Sequence, residues 1–249
     1  MANAGVKKCV LVSSVASIHA GWDTPCTGVI MEPEKRWSVP EKCEPYVKSK
    51  TLAEMAAWDL LKDEKSEGSL ELAVVNPSLV IGPSLTKNTG TSIDICTQIL
   101  NRKMMATPHL CLNVVDVRDV AEGIVRSMEK PEASGERVVL SSAAIWLNDL
   151  SQAAIPVFEP LGYRPPHKNA PSLLLRFLSW FVPSLRGIAG SLGNFFQLDN
   201  SKAKSLLGME FIGHEDSFVS MCHSVIQHGI VEKTPKYIAW EKETAAGGK

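Results

Sequence analysis

No Cys-x-x-Cys pair occurs in the 249 residues, and the six cysteines (Cys9, Cys26, Cys43, Cys96, Cys111 and Cys222) are widely spaced. A chain of this size needs no disulfide framework, so they read as reduced thiols. The six histidines lack ligand spacing as well: His223 and His228 stand five apart, on different faces of a helix, and no metal site is expected. Excess charge of one sign is missing. The net charge is −1 with no dense Lys/Arg stripe, which leaves no electrostatic footprint for nucleic acid. The most apolar stretch, 171–196, is interrupted by Arg176, Pro183 and Arg186, short of the roughly 18 uncharged residues of a spanning helix. Leu173, Leu174, Phe177, Leu178 and Phe181 keep helical spacing there. A helix ending before Pro183, packed on its own domain or lining a pocket, is the expectation, and membrane contact is not. The opening MANAGVKKCVLVSS has too short an apolar run for a signal peptide and reads as a strand, so a cytoplasmic location is expected.

What is present is the composition of an ordinary soluble enzyme, 45% hydrophobic and 21% charged. Lys8 to Ser13 reads as a strand buried on both faces of a parallel sheet. Tyr46 to Lys65 reads as a helix with Val47, Leu52, Met55, Ala56 and Leu60 or Leu61 as its apolar stripe. Strands at Leu70 to Val75, Leu110 to Val115 and Arg137 to Leu140 alternate with helices at Thr91 to Asn101 and, capped by Asp116, up to Pro131. Beyond Gly162 the chain turns mostly helical, with Asp199 or Asn200 capping SKAKSLLG and a last helix near Ser217 to His228. The alternation predicts an α/β fold with a parallel sheet and a smaller helical subdomain. TAAGGK reads as a disordered tail.

Three pieces of this pattern carry chemistry. Tyr46-Val47-Lys48-Ser49-Lys50 sets a phenol and an ammonium four residues apart, one turn along one helix face. A phenol ionises near pH 10 in water and is a poor acid or base at neutral pH unaided. A neighbouring cation favours its charged form, which suits proton exchange with an alcohol or carbonyl oxygen. VLVSSVASI puts Ser13 and Ser14 at the C-terminal end of a buried strand, where open α/β sheets bind ligands. Further on, LELAVVNPSLVIGP ends a second buried strand in Asn76-Pro77. Each piece alone is an ordinary helix pair, strand end or turn; their order and intervals set them apart.

The ordered segments VLVSS, YVKSKTLAEMAAW, VVNPSLVIGP and VVDVRDVAEGIVRSMEKPEASGERVVLSS resemble the extended short-chain dehydrogenase/reductase superfamily, over roughly residues 4–231. Within it the dihydroflavonol reductase and cinnamoyl-CoA reductase group looks most similar. The resemblance implies a nucleotide-binding Rossmann fold with a substrate subdomain, acting with NAD or NADP, NADP being preferred, on a small-molecule carbonyl or secondary alcohol. It implies that Ser14 is the catalytic serine and Tyr46 the acid/base. Lys50 would hold the nicotinamide ribose and tune the tyrosine. Tyr46, Lys50, Pro77, Ser78 and Leu79 would form the cofactor-binding set, the last three lying against the nicotinamide end. Asp116 and Arg118 match a signature that is mainly structural. Phe181, Phe195 and Phe196 suit either an apolar substrate lining or core packing.

One departure stands out. The family begins with a strand, a Gly-x-x-Gly-x-x-Gly turn and a helix. No such strand–turn–helix is found here: the nearest glycine cluster, Gly187 to Gly190, comes late and does not follow a strand. About four strands with their crossovers, on the order of 100 residues, are therefore expected to be absent. On this reading residues 1–160 are the C-terminal part of the nucleotide-binding domain, with an inserted substrate-side segment near 84–110. Residues 161–235 form the helical substrate subdomain and 236–249 a flexible tail. The expected function is a carbonyl reductase lacking its N-terminal part, forming a homo-oligomer or depending on that part. The alternatives are a non-catalytic binding or regulatory product and a sugar-nucleotide epimerase.

Overall fold

Runs of Val, Leu and Ile bounded by turn residues become strands in the computed structural model, which describes residues 5–24, 26–62, 70–87 and 90–247. The strands are β1 (Lys8–Val12), β2 (Gly28–Ile30), β3 (Glu71–Pro77), β4 (Leu79–Ile81), β5 (Cys111–Asp116), β6 (Arg137–Leu140), β7 (Ala143–Trp146) and β8 (Phe196–Leu198). The helices are α1 (Pro45–Lys62), α2 (Thr91–Leu100), α3 (Val117–Glu129), α4 (Leu147–Phe158), α5 (Ser172–Leu178), α6 (Pro183–Ala189), α7 (Ser201–Leu207), α8 (His214–Gln227) and α9 (Pro235–Gly247). Hydrogen bonding orders the strands β1-β3-β6, β4-β5-β7 and β2-β8.

Contacts divide the chain into two interleaved units. The first comprises Met1–Val80, Asn113–Ala144 and Phe195–Phe211; the second comprises Ile81–Leu112, Ile145–Asn194 and Ile212–Lys249. The first is built on the parallel sheet β1-β3-β6. Val10 pairs with Ala73 and Val75 with Val138, so the apolar runs lie side by side. β3 sits in the middle and is buried from Leu72 to Pro77, which is why it reads as a continuous apolar run rather than an alternating one.

α3 starts where Asp116 accepts a hydrogen bond from the Arg118 backbone N–H at 2.8 Å, the cap expected of it. It crosses the sheet closely: a Cβ on Gly123 would meet Leu140 Cδ1 at 2.7 Å. Ala73, Val75, Val115, Val138, Leu140 and Leu207 form the core on that side. Val15, Ile18, Ile30, Val139 and Leu198 form a second cluster, and Phe196 packs against it, so of the three phenylalanines this one is a core residue.

The second unit is mainly helical. α8 packs against α2 and α4, and the free thiols of Cys96 and Cys222 approach to 3.4 Å there. Of residues 236–249, expected to form a flexible tail, 248–249 lie outside the described residues and 236–247 are instead part of the helix α9. Tyr237 fixes it: its ring is fully buried against Tyr163 and Trp240, and its hydroxyl lies 3.0 Å from His223 Nδ1. Burial pushes the Tyr237 phenol up to about 12, so it stays protonated as a hydrogen-bonding group. α4 went unread in the sequence because Asn148, Asp149 and Pro156 interrupt its apolar pattern.

One sequence expectation about a helix face fails. α1 does not bury Leu52, Ala56 and Leu60, which are exposed; it buries Thr51 and Glu54. α5, expected to pack on its own domain or line a pocket, packs on α6 with none of its residues fully buried.

β1 lies at the edge of its sheet, and among the described residues no strand pairs with its outer side. Lys8 is its one charge, so it lacks the charges, prolines and bulges that protect native edges. The purified chain is expected to self-associate through this edge in light scattering, and Val12→Lys, at an exposed position, shifts it toward monomer. A monodisperse monomer of the unaltered chain contradicts this.

Candidate active site

The site is assembled where β1, β3 and β6 come together with α1. Ser13 continues the ladder beyond β1, its N–H donating to the Val75 carbonyl at 2.9 Å. It is buried, and its hydroxyl turns inward to donate to Glu54 Oε2. Ser14, one residue on, is half-buried in extended backbone (φ −165°), and its Oγ accepts from the Ala16 N–H at 3.1 Å. Strand alternation thus divides the pair: one serine holds the structure and the other is presented at the strand end.

α1 begins at Pro45, which suits the first helical position. Tyr46 is 61% exposed and Lys50 half-buried one turn further along. Neither side chain has a hydrogen-bond or ionic partner among the described residues, so both are free to meet a ligand. Thr51 and Glu54 face inward, and α1 packs on the short turn Val15–Ser17 that follows Ser14.

Glu54 is the centre of a buried polar network. Arg137 of β6 donates through Nε to Oε1, and both side chains are almost fully buried. Asn76 Nδ2, at the end of β3, lies 2.8 Å from Oε2 and 3.2 Å from the Ser14 carbonyl oxygen. Ser17 Oγ lies 2.6 Å from Oε2 and 2.8 Å from that same carbonyl. Its single proton serves one of the two acceptors, while it accepts from Arg137 Nη2 at 3.1 Å. The remaining guanidinium donor, Nη1, reaches the Glu34 and Arg36 carbonyls at 2.8 and 2.7 Å. The guanidinium also lies over the Trp37 ring, 3.8 Å from its centroid.

Burial alone would raise the Glu54 carboxyl. The Arg137 hydrogen bond and charge, with the Ser13 and Ser17 hydroxyls, outweigh it and hold the group below its ordinary value.

The third segment runs off the end of β3. Pro77 is its last residue, Ser78 donates its N–H to the Leu140 carbonyl at 3.0 Å, and half-buried Leu79 opens β4. Ser78 Oγ is buried without a partner among the described residues. Asn76 joins this strand end to the Ser14 backbone, so Ser14, the helix carrying Tyr46 and Lys50, and the Pro77–Leu79 turn share one network. Sequence reasoning missed Glu54, Asn76, Arg137 and Ser17. The available signal was Thr51 and Glu54 at helical spacing, polar residues in step with Val47 and Trp58.

The glycine reading needs a correction. Gly187, Gly190 and Gly193 do have Gly-x-x-Gly-x-x-Gly spacing, one glycine beyond the cluster read from the sequence. They follow no strand and open no helix: the first lies in α6 and the last, at φ +80°, beyond its end. A Cβ on any of the three meets nothing within 4 Å, so no close packing within the protein requires glycine at these positions.

The parallel sheet β1-β3-β6, with α1 packed on the turn that follows Ser14, defines an α/β protein. No family model matches the chain. It is 34% identical over 147 residues to tetraketide alpha-pyrone reductase 2 of Arabidopsis thaliana, covering 57% of this chain and 44% of that protein. It is 30% identical over 173 residues to an NADPH-dependent methylglyoxal reductase of Saccharomyces cerevisiae, covering 67% and 46%. The structure of Gre2 from Candida albicans in complex with NADPH matches with a TM-score of 0.68 at 25% identity, over 89% of this chain and 64% of that one. The chain is similar to these members of the short-chain dehydrogenase/reductase superfamily, and it spans 44 to 64% of the three relatives.

A carboxyl held lower in the folded than in the unfolded state stabilises the fold above its unfolded value, and that contribution is lost as pH falls through the folded one. The stability difference between the unaltered chain and Glu54→Gln is therefore expected to be full above the ordinary value of 4.5 and to shrink as pH drops below it. At neutral pH the substitution costs about 3–5 kcal/mol, because Arg137 is left buried without its counter-charge. Denaturant titrations from neutral to acid pH measure both, and an unchanged neutral stability contradicts the assignment.

Proposed function

We propose that this chain carries the catalytic side of an NADP-dependent oxidoreductase that interconverts a small-molecule carbonyl and a secondary alcohol. One observation carries the reading: the Glu54 network ties Ser14, the Tyr46–Lys50 helix and the Pro77–Leu79 turn to one end of the sheet, with both helix side chains free. The similarity to NADPH-dependent reductases supports the cofactor class.

The residues present fit the nicotinamide end of such a cofactor. Lys50 offers a free ammonium for ribose hydroxyls, and the partnerless Ser78 Oγ at the end of β3 suits a polar ring substituent. They do not fit the pyrophosphate end, since no glycine turn between strand and helix exists in the sequence. When bound, the nicotinamide supplies a hydride to the carbonyl carbon. Ser14 Oγ donates a hydrogen bond to the carbonyl oxygen and orients it, and the Tyr46 hydroxyl gives that oxygen its proton as the alcohol forms. The first unit holds the reacting groups of this reading.

A second reading is a non-catalytic binding or regulatory protein. Turnover of NADPH with a panel of aldehydes and ketones, beside calorimetric titration of both nicotinamide nucleotides, separates the two. In a cofactor-competent form, Tyr46→Phe keeps the ring and loses the proton relay, so turnover falls by about 10² to 10⁴. Lys50→Ala loses turnover and cofactor affinity together. Near-normal turnover in Tyr46→Phe overturns the reductase reading.

A further inference from the structure

The second unit carries a feature that the reductase chemistry does not use. α5 and α6 pack on one another as a short helical pair. Leu173 is 80% exposed, Trp180 73% and Phe181 67%, with Leu174, Phe177 and Val182 exposed beside them. The rings touch one another rather than a core: Phe177 lies 5.9 Å from Trp180 and 5.5 Å from Phe181 between centroids. So many large apolar side chains within ten residues is not the scattered exposure normal on a protein surface.

Charge distinguishes what such a face meets. From residue 160 to 198 the sequence holds no Asp or Glu, while Arg164, Lys168, Arg176 and Arg186 give it four positive charges in a chain of net charge −1. Arg186 donates to the Ser179 and Trp180 carbonyls at 3.2 Å and Arg176 to the Leu192 carbonyl at 3.0 Å, so both cations are fixed beside the aromatic cluster. Just before α5, Arg164 and Lys168 line a cavity of about 610 Å³ together with Arg102 and Lys236, and Glu159 is the one carboxylate there. These four cations have no hydrogen-bond or ionic side-chain partner among the described residues.

Exposed aromatic and leucine side chains in a segment whose only charges are Arg and Lys are the composition of an interfacial element that lies in the headgroup region of a bilayer. A tryptophan with one apolar face and one N–H suits that depth. No helix among the described residues is long and apolar enough to cross a membrane, so the contact is with the surface. We propose that the segment from Arg164 to Arg186 docks this protein on an anionic lipid surface, the apolar face of α5 and the Trp180–Phe181 turn entering the acyl boundary while the basic cavity takes up lipid phosphates. Pairing with a second copy is disfavoured by the like charges that two such faces would bring together.

The test is co-sedimentation of the full chain with vesicles of phosphatidylcholine alone or mixed with phosphatidylserine. Binding is expected to the mixed vesicles, weaker to neutral ones, and to fall as salt is raised. Trp180→Ser with Phe181→Ser lowers the partition by about tenfold per residue, with unchanged circular dichroism and hydrodynamic size. Arg164→Gln with Lys168→Gln removes the preference for the anionic lipid, and a blue shift confined to Trp180 is read as the fluorescence difference from Trp180→Phe. No binding to either vesicle, equal salt-independent binding to both, or a serine double variant that changes the oligomeric state without changing lipid partition would overturn the proposal.

Discussion

The ion pair between Glu54 and Arg137 is the constraint from which the candidate site follows. Desolvating two charges is costly, and a buried pair holds only where hydrogen bonds complete it. Here Ser13, Ser17 and Asn76 surround the carboxylate, while two backbone carbonyls and Trp37 complete the guanidinium. These groups come from the segment Ser13–Ser17 that follows β1, from β3, β6 and α1, and from the loop around residues 34–37. A helix that buried only leucines would be free to slide or rotate by a residue. One that buries a carboxylate with a single satisfied orientation is not, and Tyr46 and Lys50 inherit that register.

The same network explains what sequence patterning revealed and what it concealed. β6 was read to the residue and β1 and β3 nearly so, because an apolar run between turn residues has one meaning in a parallel sheet. Asp116 was legible because a cap is a local signal. The face of α1 was misread because its leucines point outward and its buried face holds a threonine and a carboxylate. Their partners lie far along the chain: Arg137 is 83 residues from Glu54. Ser14, Tyr46 and Lys50 were found by resemblance, whereas the groups that fix their positions needed coordinates.

The two ends of the second unit show the opposite uses of aromatic side chains. Tyr237 and Trp240 draw α9 into a buried cluster with Tyr163 and His223, overriding a polar, glycine-ended sequence that read as a tail. Phe177, Trp180 and Phe181 cluster equally well but bury no helix. Hydrophobicity alone does not separate these cases. The first group has a histidine and a backbone carbonyl as hydrogen-bond partners for its hydroxyls, and the second has cations and solvent.

A double-mutant cycle on Glu54→Gln and Arg137→Met tests most directly whether this pair holds the site together. If the two side chains act as one unit, the stability losses are strongly non-additive, with a coupling of about 2–3 kcal/mol. The double variant is then close in stability to the worse single one, since each substitution alone strands its partner. Losses that simply add to within about 0.5 kcal/mol would contradict the account, because the helix carrying Tyr46 and Lys50 would then be held by something else.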